Sequence, residues 1–158
     1  MPFPILFGTT ITTVLHYRAD CDVHRDFLAC GSSAVNVPDK ILLGRPYGGM
    51  AILYRKNLAD RISIIDCNDS RLTAVKLFTQ IGPVLILNVY MPTNYQDDDS
   101  VDRYMETCGK INALITDCDI AEIIIIGDFN CSAGSRMYTS FNDLMEANKL
   151  VYGDIKVV

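Results

Sequence analysis

Two short segments combine side chains that can do chemistry with a strand that can hold them still. They are Asn88-Val-Tyr-Met-Pro-Thr93 and Gly127-Asp-Phe-Asn130. In an extended chain, residues two apart point the same way. Asp128 and Asn130 are therefore expected to present a carboxylate and a carboxamide side by side, with Phe129 turned into the core. A carboxylate so placed holds a hydrated cation, or orients and deprotonates a water. The neighbouring amide donates and accepts hydrogen bonds without adding charge. Gly127 lets another backbone or a substrate come close. By the same parity Asn88 and Tyr90 share a face, and a tyrosine hydroxyl at a strand end can bond a phosphate oxygen. Each piece also has an ordinary structural reading. Gly-Asp-x-Asn after a strand is turn chemistry, because Asp and Asn side chains bond their own backbone. Tyr90 alone reads as a core-edge residue.

The elements that must position these residues are legible from about residue 40. Gly48–Arg55 starts at a glycine pair and reads as a strand, and Arg61–Asp66 reads as a second. Leu72–Thr79 is a half-exposed third, with Leu72, Ala74, Lys76 and Phe78 on one face. Gly82-Pro83 is turn punctuation, and Val84–Tyr90 is a nearly continuous apolar run suited to a strand covered on both faces. Residues 100–118 carry the clearest helix, with Ser100 as N-cap and Asp97, Asp98, Asp99 and Asp102 near the positive end of its dipole. Val101, Tyr104, Met105, Cys108, Ile111, Leu114, Ile115 and Cys118 form its apolar stripe. Ile123–Ile126 argues for a central strand, because four β-branched residues in a row leave no polar face. A loop from Phe129 to about Arg136 leads to a shorter helix, about Tyr138 to Asn148, that buries Phe141, Leu144 and Met145. Leu150–Val157 reads as a last strand, and residues 1–35 show little pattern. Hairpin-spaced strands followed by strand–helix–strand–helix give an α+β (α/β sandwich) layout, a sheet sandwich flanked by helices.

Bulk properties narrow the function classes. At 158 residues the chain has room for one domain with a real core, and 49% hydrophobic with 21% charged residues is a globular composition. The net charge of −5 runs against a strongly basic nucleic-acid-binding surface. It does not exclude one, because metal sites that cleave phosphodiesters need carboxylates of their own. The charge is also uneven, positive over residues 39–76 and strongly negative over 96–128. Six cysteines at 21, 30, 67, 108, 118 and 131 have no C-x-x-C spacing and read as reduced intracellular thiols. The apolar start lacks a preceding positive charge and is broken by Pro2, Pro4 and Gly8, so neither a signal peptide nor a membrane span is expected. An intracellular protein, nuclear or cytoplasmic, is the expectation. No strand leads into a G-x-G-x-x-G or G-x-x-x-x-G-K-[ST] loop, which argues against a nucleotide-binding domain and a small-molecule cofactor.

Asn88-Val-Tyr-Met-Pro-Thr93, an amphipathic helix, then Ile-Ile-Ile-Ile-Gly-Asp-Phe-Asn130 resembles the middle of the endonuclease/exonuclease/phosphatase (DNase I-like) superfamily. The stretch Gly44-Arg-Pro-Tyr-Gly-Gly-Met-Ala-Ile-Leu-Tyr-Arg55 resembles more narrowly the endonuclease domains of non-LTR (LINE-like) retrotransposons, and the similarity spans roughly residues 25–155. The resemblance implies a DNase I-like four-layer fold, Mg²⁺ (or Mn²⁺) as cofactor and DNA as partner. It further implies that Asp128 activates the water attacking phosphorus in line and touches the metal indirectly. Asn130 would hold that water or the transition-state oxygens, and Tyr90 would bond the scissile phosphate. Thr93 stands where many members have a DNA-contacting Asn, while Arg136 and Tyr138 are placed to touch DNA phosphates.

The family pattern is incomplete here. An early strand ending in Gln-Glu should supply the main metal ligand, yet the first glutamate of the chain is Glu106. The early acids Asp20, Asp22 and Asp26 do not end an apolar strand. A closing Ser-Asp-His is also part of the pattern, but the only histidines are His16 and His24, and the chain stops at Val158 before that element. The whole of residues 1–158 is thus expected to be a partial domain, lacking its N-terminal strand pair and its C-terminal catalytic segment. The expected function is the central fragment of a Mg²⁺-dependent endonuclease domain, with little activity by itself. The alternative is a catalytically inactive relic or interaction module of the same fold.

Overall fold

The computed structural model describes residues 25–32, 49–93 and 98–151. Six strands and two α-helices follow in the order β1 (Phe27–Ser32), β2 (Met50–Arg55), β3 (Ile62–Ile65), β4 (Leu72–Thr79), β5 (Gly82–Tyr90), α1 (Asp98–Cys118), β6 (Glu122–Asp128) and α2 (Arg136–Ala147). A 3-10 helix at Lys56–Arg61 joins β2 to β3. Strands β3-β4-β5-β6 form one mixed sheet, antiparallel except for the parallel β5–β6 pair, and β1–β2 form a separate antiparallel pair. The parallel pairing follows from α1, because two parallel neighbours need a long crossover between them.

Side-chain alternation divides the faces of the mixed sheet. Leu72 and Ala74 on β4, and Leu85, Leu87 and Val89 on β5, turn to one side and are buried under both helices. They meet Tyr104, Cys108, Ile111 and Ile115 of α1 and Met137, Phe141 and Leu144 of α2. On the opposite face the β1–β2 pair lies against β4 and β5, where the Asn88 side-chain amide donates to the Ala51 carbonyl at 3.3 Å. The described residues thus stack in three layers: helices, mixed sheet and strand pair. An α+β sandwich is what the alternating patterns predict.

Several expectations need correction. Residues Leu72–Val75 are buried on both faces, where a half-exposed strand is expected, because the β1–β2 layer covers the second face. Ile123–Ile126 are only half-buried, and β6 is a terminal strand among the described residues, not a central one. A β-branched run satisfies any pleated strand with apolar neighbours, and it does not specify how many strands flank it. Helix α1 begins at Asp98, so Ser100 is a fully buried residue inside the first turn and not the cap. Met105 sits at the rim of the stripe, about half exposed. Leu150 and Val151 are not in a strand; the rest of the expected last strand, the Gly44–Gly48 part of the Gly-Arg…Gly-Gly motif, and Asp20, Asp22, His16 and His24 lie outside the described residues. Strand β1 has no counterpart in the sequence reading.

Gly109 offers a check on the helix. It lies in the exposed middle of α1, and a Cβ built there meets nothing within 4 Å. Glycine in a helix interior costs up to about 1 kcal/mol relative to alanine, through backbone entropy. Gly109→Ala is therefore expected to raise folding stability by about 0.5–1 kcal/mol, read as a higher urea midpoint at unchanged slope.

Candidate active site

Strands β5 and β6 run parallel and end together, and in their register Tyr90 stands opposite Asp128. The backbone closes the pair there, with the Met91 N–H donating to the Asp128 carbonyl at 2.8 Å. Close approach depends on Gly127, whose φ is +136° and whose missing Cβ would fall 1.9 Å from the Val89 carbonyl oxygen. The glycine that precedes the acid is thus required by the neighbouring backbone. Phe129 turns the other way, into the helix-side core, and its ring lies 4.8 Å from that of Phe141. The buried Tyr104 hydroxyl donates to the Phe129 carbonyl at 2.9 Å, fixing the loop that carries Asn130. With Phe129 on the core side, Asp128 emerges on the opposite face and is exposed.

Asn130 reaches Asp128 by a different route from strand parity. Its φ is +46°, in the left-handed region that Asn tolerates, and its backbone N–H donates to the Asp128 carboxylate at 3.2 Å. Its side-chain nitrogen donates to the Met91 carbonyl at 2.8 Å, tying the β6 loop to the end of β5. Turn chemistry and side-by-side placement are here one arrangement. One of the two amide N–H groups is used by Met91, so Asn130 can offer its amide oxygen and the second N–H to a water or a hydroxyl. Asn88 shares the Tyr90 face as expected, but its amide holds the two sheets together through Ala51.

The outer residues fare differently. Thr93 is exposed just beyond Pro92. Arg136 and Tyr138 are not in a loop: α2 starts at Arg136, with Ser135 as its N-cap accepting from the Tyr138 N–H. The Arg136 guanidinium pairs with Asp98 at 2.6 Å, joining the starts of the two helices. No hydrogen bond or ion pair among the described residues connects Thr93, Arg136 or Tyr138 to Tyr90, Asp128 or Asn130.

Arg71, which no motif singles out, is brought to the site by pairing. Its guanidinium donates to the Tyr90 carbonyl at 3.3 Å and lies 5.5 Å from the centre of the Tyr90 ring, a cation–π distance. The signal for it is in the hairpin: counting outward from the Thr79↔Gly82 closing pair places Arg71 across from Tyr90. Asp69 holds the start of this strand by accepting from the Arg71 backbone N–H at 2.7 Å. Burial works against ionisation of Asp69, but the Lys110 ammonium at 2.9 Å and the Arg71 N–H outweigh it and keep the carboxyl below its usual range.

Two of the thiols stay out of this chemistry. The five described cysteines are unpaired, and burial pushes Cys67 and Cys108 up to about 11, so both are protonated at neutral pH. A resident Mg²⁺ asks for a near-octahedral set of oxygens, commonly one or two carboxylates completed by water and phosphate. At the strand ends Asp128 is the one carboxylate, and the described residues contain no group of three His, Cys, Asp or Glu side chains that could hold a metal. The described residues do not by themselves fit a protein-held Mg²⁺ centre. No helix among them is long and apolar enough to cross a membrane.

No protein-family model matches the sequence, and no curated protein matches it. Fold and site together define an α+β protein with a mixed sheet, carrying an acid, an amide and a phenol at the adjoining ends of two parallel strands.

Proposed function

We propose that this chain is the central part of a DNase I-like endonuclease domain, of the kind found in non-LTR retrotransposons, whose complete form hydrolyses DNA phosphodiester bonds. The observation that carries the reading is the Tyr90–Asp128 register across β5 and β6, with Asn130 tied in beside it. Two segments separated by α1 in sequence, and linked beforehand only by family resemblance, meet at one point. In this reading Asp128 orients and takes a proton from the attacking water, the Asn130 amide oxygen holds that water, and the Tyr90 hydroxyl donates to a phosphate oxygen. Mg²⁺ would supply charge neutralisation in the complete domain. The four-layer architecture belongs to that complete domain as well.

The test starts from the coding sequence on either side of this reading frame. If it supplies, in frame, an upstream strand ending in Gln-Glu and a downstream Ser-Asp-His, the extended protein is expected to nick supercoiled plasmid in Mg²⁺. Asp128→Ala should then lower the rate at least about a hundredfold, the usual contribution of a positioned general base. An extended protein that folds and does not nick sinks the proposal. The chain of residues 1–158 alone is expected to leave the plasmid intact, and stop codons on both sides would mark an inactive relic of the same fold.

A further inference from the structure

Arg71, Tyr90 and Asp128 form a single row across three neighbouring strands. Arg71 precedes β4 and pairs with Tyr90, whose N–H donates to the Arg71 carbonyl at 3.0 Å, and Tyr90 stands opposite Asp128. All three turn to the same face. Leu72 and Val89, the next pair in the register, point into the helix-side core, so their neighbours Arg71 and Tyr90 point away from it. Phe129 likewise puts Asp128 on that side. The row below, Thr73–Asn88–Ile126, is capped by β2 through the Asn88–Ala51 hydrogen bond. The Arg71 row is the last step of the sheet, where Asp128 is exposed and Tyr90 and Arg71 are partly so.

We infer that Arg71 is the cation that receives the phosphate at this site, and that it sets the Tyr90 ring in place while doing so. The inference rests on the phosphodiester reading above and adds to it the group that binds the anion. Strands lie about 4.8 Å apart, so the Arg71 and Asp128 backbones flank Tyr90 at roughly 10 Å from each other. A phosphate seated over the tyrosine meets a positive charge on one side, and the water held by the carboxylate on the other. In that arrangement the cation neutralises charge on the phosphate and leaves the other side to the water that Asp128 holds. A guanidinium has five N–H donors, and the Tyr90 carbonyl takes one nitrogen, Nη1. Among the described residues Arg71 makes no close ion pair; the nearby Asp69, whose charge it also helps to stabilise, is held by Lys110. The neighbouring Thr73 hydroxyl, buried on the same face, has no hydrogen-bond partner.

The experiment measures binding of a short fluorescein-labelled DNA duplex to the chain in EDTA, across a salt series. Each phosphate contact contributes close to one unit to the slope of log affinity against log salt. Arg71→Gln is expected to weaken binding about tenfold and to reduce the slope by about one. Arg71→Lys keeps the charge but loses the planar contact with Tyr90, so it should keep the slope while losing only part of the affinity. Lys149→Gln, an exposed cation at the end of α2, should leave both nearly unchanged. A purely structural role for Arg71 predicts equal slopes in folded Arg71→Gln and wild type, and that result overturns the inference while leaving the phosphodiester reading in place. Should Arg71→Gln fail to fold, Arg71→Met, which keeps the apolar stem without the charge, decides: a slope reduced by about one supports the inference and an unchanged slope ends it. Wild-type protein with no salt-dependent binding at all would end this inference, while the plasmid assay on the extended protein decides the phosphodiester reading separately.

Discussion

Gly127→Ala is expected to destabilise the fold by about 4 kcal/mol, at the upper end of what a single substitution does. Two costs add. An alanine at φ +136° is strained by about 1–3 kcal/mol. Its Cβ would also sit 1.9 Å from the Val89 carbonyl oxygen, a backbone atom that cannot swing aside. Relief requires β5 and β6 to part at the rung where Val89 faces Gly127, one step from Tyr90 and Asp128. Gly82 separates the two costs, since its φ is +138° but a Cβ there meets nothing within 4 Å. Gly82→Ala should therefore show the strain alone, about 1–2 kcal/mol. Against a total stability of about 5–15 kcal/mol, the Gly127 loss shows as a large fall in the urea midpoint. A Gly127→Ala protein within about 1 kcal/mol of wild type would mean that the strands are not packed this closely.

Asn130→Ala should cost about 2 kcal/mol, before any question of catalysis arises. It removes the side-chain donor to the Met91 carbonyl and puts an alanine at φ +46°. The left-handed conformation is about 1 kcal/mol worse for alanine than for a residue that visits it freely. The lost hydrogen bond contributes about another 1 kcal/mol. Asn130→Gly recovers the backbone term and not the hydrogen bond, so thermal or urea melts of the two variants divide the effect. The consequence for function is direct. Loss of activity in an alanine variant of the extended protein reports the turn as well as the chemistry, whereas a glycine variant that folds well and still fails reports the amide itself.

Much of the site was legible because its signals are local. Gly127, Asp128, Asn130 and Tyr90 stand out by residue type and by their place after apolar runs, and Phe129 enters the core as alternation requires. The span of β4 was readable to the residue, and both helices to within two residues at each end, since periodicity is set by side chains within one element. Misplacements occurred where the local signal was ambiguous. Ser100 is a good cap by type, but Asp98 and Asp99 before it are already helical. Arg136 reads as loop by type because the true cap, Ser135, lies beside it in a polar stretch.

Residue types and short-range spacing therefore determined which side chains are available for chemistry, and which strands and helices carry them. Tertiary structure decided who stands next to whom. It set Tyr90 against Asp128, brought Arg71 to both, placed β6 at one side of the described sheet, and covered the start of β4 with a strand pair that the sequence pattern did not announce. The physical reason is that a strand's own residues specify its faces, through alternation, but not its neighbours. Neighbours are chosen by backbone hydrogen bonds between distant segments and by the shared burial of surfaces, and those exist only once the chain has closed on itself.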